Sequence, residues 1–321
     1  MLVTIFNRVN EYPTFEGKNY KLHSLIHWKV LVIILSKLNP DQQQWLKCFE
    51  VYKSTTGLPL GPLGVKHSGP IPIADSHFHM DTLMARTGCS GFHELSCLTF
   101  MVANYYFPLS WPSSTQRTEL RKTPSVHFSF SIHPRIVNSS NLQQYLTDLE
   151  YLIKSSRTVA VGECGLDNTA KSLQLDKQIK KNQRNYQLSY TVAEMNHSTV
   201  LLSSLTNCCP VQPYIHWHSF TSTQEIYQSA ANHFTNLVFG VTPFIFSTRY
   251  PNIRGFIKKN GINRLVLKTE SPYINYKENK IPNPYVINFI AEKISKLLNI
   301  PIEQIFSATF SNTQKVYGKR N

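Results

Sequence analysis

Histidines and carboxylates recur in this chain in four short segments, each at the end of an apolar run, and both are ligands for divalent metal ions. In the first, Ile71-Pro-Ile-Ala-Asp75-Ser-His77-Phe-His79-Met-Asp81, two imidazoles stand two residues apart. Side chains alternate along a strand, so His77 and His79 share a face. The second, Thr158-Val-Ala-Val-Gly162-Glu163-Cys-Gly165-Leu-Asp167, delivers one carboxylate after a β-branched run and beside a glycine that lets the backbone turn. The third, Pro213-Tyr-Ile-His216-Trp-His218-Ser-Phe220, again carries two histidines on one strand face. The fourth, Arg264-Leu-Val-Leu-Lys-Thr269-Glu270-Ser-Pro272-Tyr273, ends in a carboxylate two residues before a chain-breaking proline.

Each segment alone has a plainer reading. A His-x-His pair also fits a polar strand face or a hydrogen-bonded core pair, and Glu163 fits a capping acid at a strand-to-helix turn. Taken together, ligand-type residues at four strand ends match the way an α/β barrel gathers its active site at one face. Imidazole combined with carboxylate suits zinc, manganese and other borderline divalent ions. Asp75, Asp81 and Asp167 stand beside these groups, where an acid orients a histidine or caps a helix more readily than it touches metal.

The elements that must position these residues are strands. Apolar runs predict eight of them, near 71 to 77, 98 to 104, 126 to 132, 158 to 163, 199 to 204, 211 to 218, 236 to 241 and 264 to 269. Amphipathic stretches from Asn141 to Ser155, Leu173 to Asn196 and Thr223 to His233 fit crossover helices, and Tyr285 to Leu298 and Ile302 to Tyr317 fit closing ones. The expected fold class is therefore α/β, a (β/α)8 TIM-type barrel over residues 71 to 318, close to the usual size of about 250 residues. Residues 1 to 54 read as an N-terminal helical extension, with helix over Tyr20 to Val51, and 55 to 70 as a Pro/Gly linker. Leu25 to Leu38 is apolar but too short to span a bilayer, contains Lys29, and lacks the flanks of a secretory signal.

Composition narrows the partners. The 321 residues carry 33 Lys plus Arg against 19 Asp plus Glu, a formal charge of +14, which attracts polyanions such as nucleic acid. Basic residues cluster at Lys177 to Arg184, Lys258 to Lys268 and Lys315 to Arg320, as solvated faces or as phosphate contacts. No helix-turn-helix or RNA-binding signature accompanies them. Six cysteines without regular spacing, two of them adjacent at Cys208 and Cys209, predict reduced thiols in an intracellular protein, cytoplasmic or nuclear, with no membrane partner.

With these boxes on the page, residues 71 to 318 resemble the TatD-related, metal-dependent deoxyribonucleases of the amidohydrolase-like barrel superfamily. Asp75-Ser-His77-Phe-His79-Met-Asp81 resembles the D-x-H-x-H-x-D opening of that family, and Gly162-Glu163-Cys-Gly165-Leu-Asp167 its G-E-x-G-L-D box. Ile132-His133-Pro134 is similar to its H-P step, His218-Ser219-Phe220 to its H-C-F, and Thr269-Glu270-Ser-Pro272-Tyr273 to its T-D-x-P-Y. Asn312-Thr313 lies where the closing helix of the family carries an Asn.

The resemblance implies a metal site of His77, His79, Glu163 and Glu270, with Glu163 bridging to a second ion held by His218 and a further histidine. It also implies hydrolysis of phosphodiester bonds, in DNA ahead of RNA, by water activated on a divalent ion (Mg, Mn or Zn), with Glu163 and Glu270 as the catalytic carboxylates. Here the chain departs from the pattern. Val200-Leu201-Leu202-Ser203-Ser204-Leu205 matches the V-I-L-H-C-R strand, so Ser203 replaces the histidine and Leu205 the arginine. Glu270 replaces an aspartate, and Arg135 follows Pro134 where a second histidine is common. One ion is expected and two are conceivable. His216 either supplies the missing imidazole or fills a layer of the barrel core, and His133 either meets a phosphate or stabilises a turn. The departures leave two alternatives: a catalytically impaired barrel that serves as a binding or regulatory module, and an amide or ester hydrolase of the same superfamily.

Overall fold

Runs such as Leu98–Tyr105 and Leu237–Val241, rich in β-branched and aromatic residues, pair side by side as one parallel eight-stranded sheet. The computed structural model describes residues 14–15, 18–19, 71–87, 98–133, 136, 139–154, 157–164, 192–195, 214–275 and 284–318. The strands are β1 (Ile73–Phe78), β2 (Leu98–Tyr105), β3 (Val126–Phe130), β4 (Thr158–Cys164), β5 (Val192–Met195), β6 (Tyr214–Trp217), β7 (Leu237–Val241) and β8 (Leu265–Leu267). They neighbour one another in chain order. Parallel neighbours need crossovers. The described helices are α1 (Met80–Thr87), α2 (Ser114–Leu120), α3 (Leu142–Ile153), α4 (Gln224–His233), α5 (Asn252–Asn260), α6 (Ile287–Leu298) and α7 (Ile302–Tyr317).

The first and last strands meet at their carboxyl ends. Glu270 N–H donates to His77 O at 3.2 Å, His79 N–H to Ser271 O at 2.7 Å, and the Ser76 hydroxyl to Leu267 O at 2.9 Å. These bonds curl the sheet into the expected (β/α)8 TIM-type barrel.

One strand differs from expectation. The fifth is Val192–Met195, paired in parallel from Val192 with Tyr214 to Met195 with Trp217. The segment 199 to 204, expected as that strand, lies outside the described residues. The helix expected over Leu173 to Asn196 also lies largely outside them, and its end is this strand. Four residues, Val-Ala-Glu-Met, are too short to show either period, so backbone pairing to both neighbours decides. Of the N-terminal extension and linker, only a hairpin of Thr14–Phe15 against Lys18–Asn19 is described; the helices expected over Tyr20 to Val51 lie outside. Among the described residues, no helix is long and apolar enough to cross a membrane.

Two apolar layers follow from strand alternation. Phe100, Val102, Val238 and Val266 pack together with Val316 and Tyr317 of α7. Phe128, Phe130, Trp217, Phe239, Leu265 and Leu267 pack into the layer shared with the helices. There α6 buries Ile287, Ile290, Ala291 and Ile294, the i, i+3, i+4, i+7 stripe of an amphipathic helix. It stops at Asn299, in the left-handed region at φ 53°, and Pro301 sets the start of α7.

Helix α7 holds the base of β8. The Asn312 amide donates to Ile262 O at 3.0 Å and to Leu265 O at 2.8 Å. Asn312→Ala is expected to lower the unfolding free energy by about 1–3 kcal/mol, the net worth of two such bonds. Urea denaturation checks this; a loss of only a few tenths would mean that α7 does not fasten the strand.

Candidate metal centre

Five side chains converge at the carboxyl end of the barrel. His77 lies in β1 and His79 just beyond it, Glu163 lies in β4, His218 follows β6, and Glu270 follows β8. The Nε2 atoms of His77 and His79 are 3.3 Å apart. Glu163 Oε1 stands 3.1 Å from His77 Nε2 and 3.4 Å from His79 Nε2, and Glu270 approaches the same two atoms at 3.6 and 3.5 Å. Donors bound at about 2.0–2.2 Å around a tetrahedral ion are about 3.3–3.6 Å from one another. His77, His79, Glu163 and Glu270, with ligand atoms all within 4.8 Å of one another, therefore fit a divalent ion. His218 flanks the set, with Nε2 at 2.5 Å from Glu270 Oε1 and 3.5 Å from Glu163 Oε1.

Asp75 fixes the backbone beneath the set. Its Oδ1 accepts from the N–H groups of His77 (3.2 Å) and Thr269 (3.1 Å), and its Oδ2 from the Thr269 hydroxyl at 2.6 Å. One buried carboxylate thus ties the His77 strand end to the residue before Glu270. Burial pushes the Asp75 carboxyl up to about 7, against the pull of these donors. Glu270 needs such restraint, because its φ of 56° is left-handed, a conformation costing a non-glycine residue about 1–2 kcal/mol. Asp81 accepts from Thr82 N–H at 2.7 Å in the first turn of α1, where a negative charge favours the helix start. Asp167 lies outside the described residues.

The charges suit a metal-binding set. Burial pushes the Glu270 carboxyl up, but His218, Lys268 and His77 together draw it well below the usual carboxylate range. Glu163 is likewise lowered, as His218 and His77 overcome the burial. Desolvation lowers His218, against the pull of both carboxylates. Ionised carboxylates beside a neutral imidazole are the forms that bind metal.

Asn104 and Tyr106, which did not stand out in the sequence, support the set together with Tyr273, the last residue of the fourth segment. The Asn104 amide donates to Glu163 Oε1 at 3.2 Å from β2. The Tyr106 and Tyr273 hydroxyls are 2.7 Å apart, and both rings stand edge-on to His79 at 4.9 and 4.7 Å. Their signal was alternation: Asn104 and Tyr106 are two apart at a strand end, as His77 and His79 are.

Lys268 corrects the sequence reading. It was counted in a surface basic cluster, yet it is fully buried and its Nζ forms an ion pair with Glu270 Oε1. Val266, Lys268 and Glu270 are two apart, so alternation turns the lysine to the face of its ligand-type neighbour. His216 is buried one layer below His218, and its Nδ1 meets the Tyr317 hydroxyl at 2.5 Å. His133 stacks on Phe107 at 4.9 Å and is not one of the four. Ser203, Leu205 and Arg135 lie outside the described residues.

The model of the family described as TatD related DNase matches residues 74–318, from the first strand to the end of α7. The chain belongs to this family. A curated protein of Vairimorpha ceranae, "Putative deoxyribonuclease TATDN1 homolog", is 27% identical over 186 residues, 52% of this chain and 69% of that one. Among solved structures, the TatD homolog YJJV of Escherichia coli K12 aligns with a TM-score of 0.63 at 16% identity, over 77% of this chain and 98% of its own. A TatD family hydrolase of Entamoeba histolytica aligns with a TM-score of 0.54 at 17% identity, over 77% and 97%. At such identities these two likenesses speak for the fold.

In this TatD-related barrel, Asp75→Ala is expected to weaken Mn2+ or Zn2+ binding about 10–100-fold, the usual effect of removing a group that orients metal ligands. Isothermal titration checks it. Unchanged affinity would mean that the Asp75 clamp does not position the ligands.

Proposed function

We propose that the barrel mouth hydrolyses phosphodiester bonds in nucleic acid, DNA ahead of RNA, with one tightly held divalent ion. The observation that carries this reading is the spacing of His77, His79, Glu163 and Glu270, which matches four donors around one ion. The imidazole pair favours Mn or Zn over Mg, which prefers oxygen. A divalent ion held there supplies a Lewis acid and water acidified toward neutrality.

The surrounding residues then have separate tasks. Asn104 orients Glu163 as a ligand. Glu270 Oε1 takes the proton of the attacking water and shares it with His218 Nε2 beside it. Tyr273, 41% exposed at the rim, offers a ring on which a base stacks, and the Arg86 guanidinium braces that ring from 5.3 Å. The overall charge of +14, with Lys258 and Lys259 exposed on α5, draws the polyanion in.

One observation favours a second reading, a metal-binding barrel that serves as a binding module without catalysis. Lys268 is paired with the same Glu270 oxygen that would accept the proton. A cleavage assay on single- and double-stranded DNA and RNA, with Mg2+, Mn2+ or Zn2+, separates the two. Cleavage by the wild type, lowered roughly a thousandfold or more in Glu163→Ala while the barrel stays folded, is the expected result, since water acidified from about 15.7 to about 7 is lost with the ion. A wild type that cleaves none of these substrates favours the binding module.

A further inference from the structure

We propose that the Lys268 ammonium takes the place of a second metal ion, supplying from the chain itself the positive charge beside Glu270, so that the centre holds one ion. This rests on the metal-centre reading above and goes beyond it. Lys268 is fully buried, and an ammonium removed from water needs a charged partner close by. Glu270 provides one. Its Oε2 approaches His79 Nε2 at 3.5 Å and its Oε1 His77 Nε2 at 3.6 Å, within the four-donor set, while Oε1 also meets His218 Nε2, at 2.5 Å, and Lys268 Nζ. A carboxylate so placed spans two cationic positions, one for the ion and one filled by the lysine.

The barrel has also made room for this side chain. A Cβ on Gly240, in the adjoining strand β7, would stand 2.7 Å from Lys268 Cδ and 2.5 Å from His216 Nε2. Only a glycine lets the lysine stem lie there. With one divalent ion and one ammonium, the charges of Glu163 and Glu270 are already exceeded, and a second ion would sit against the ammonium.

The test counts ions in the whole chain, independently of cleavage. Dialysis against Mn2+ or Zn2+ followed by metal analysis is expected to leave one ion per chain in the wild type. Lys268→Met and Lys268→Gln remove the ammonium while leaving His218 and Glu270 Oε1 beside the vacated position, and both are expected to raise the count to two, with circular dichroism unchanged. Folded variants that hold one ion at the affinity of the wild type overturn the proposal, as does a wild type that retains two. If neither variant folds, titration of the wild type decides: saturation at one ion supports the lysine's role, and a second ion bound within tenfold of the first refutes it. A wild type that binds no ion overturns the metal-centre reading as well, whereas one ion without cleavage overturns only the assignment as a nuclease.

Discussion

Two carboxylates, Glu163 and Glu270, meet three imidazoles at the carboxyl end of the barrel, and charges so crowded and so little solvated require cations among them. The surrounding architecture follows from that need. Lys268 approaches Glu270 from within the barrel, and Gly240 gives up its side chain to admit the lysine stem. Both carboxylates approach His77 and His79 at the spacing of a metal's ligands. Below, the His216–Tyr317 pair and the apolar layer of Val238 and Val266 separate the polar centre from the base of the barrel.

Holding ionised groups in such proximity also requires stiff strand ends. The Asp75 clamp joins the first and last strands at the point where the parallel ladder gives way to single bonds, and it does so through the neighbours of two ligand-type residues. Barrel closure and site geometry are therefore one structural event. This explains why Glu270 can adopt a left-handed backbone at a strand end: its N–H is held by His77 O while Thr269 is held by Asp75.

How much of this was legible in the sequence depended on the range of the interaction. His77 with His79, and Glu163 after its β-branched run, are set by local alternation along single strands, and the order of the boxes was enough to suggest both the barrel and the family. Lys268 was misread because a lysine among other basic residues is ordinarily solvated; its burial depends on Gly240 in the neighbouring strand and on the Glu270 carboxylate. The bond from Asp75 to Thr269 joins residues 194 apart in the chain, and no local pattern encodes it. The fifth strand escaped for a different reason. Val192–Met195 lacks an apolar run, while the later stretch from Thr199 to Ser204 has one, and short runs do not distinguish strand from buried helix.

Family membership and the details of the site describe this protein at different depths. The match over residues 74–318 fixes the ancestry of the barrel, and the ligand-type residues explain what such a barrel can hold. The central claim is that these residues gather a divalent ion at the mouth, and anomalous diffraction from crystals grown with Mn2+ tests it most directly. The account predicts one strong peak about 2.0–2.3 Å from the Nε2 atoms of His77 and His79 and from one oxygen each of Glu163 and Glu270. A mouth without a peak, or an ion ligated by other residues, would contradict it.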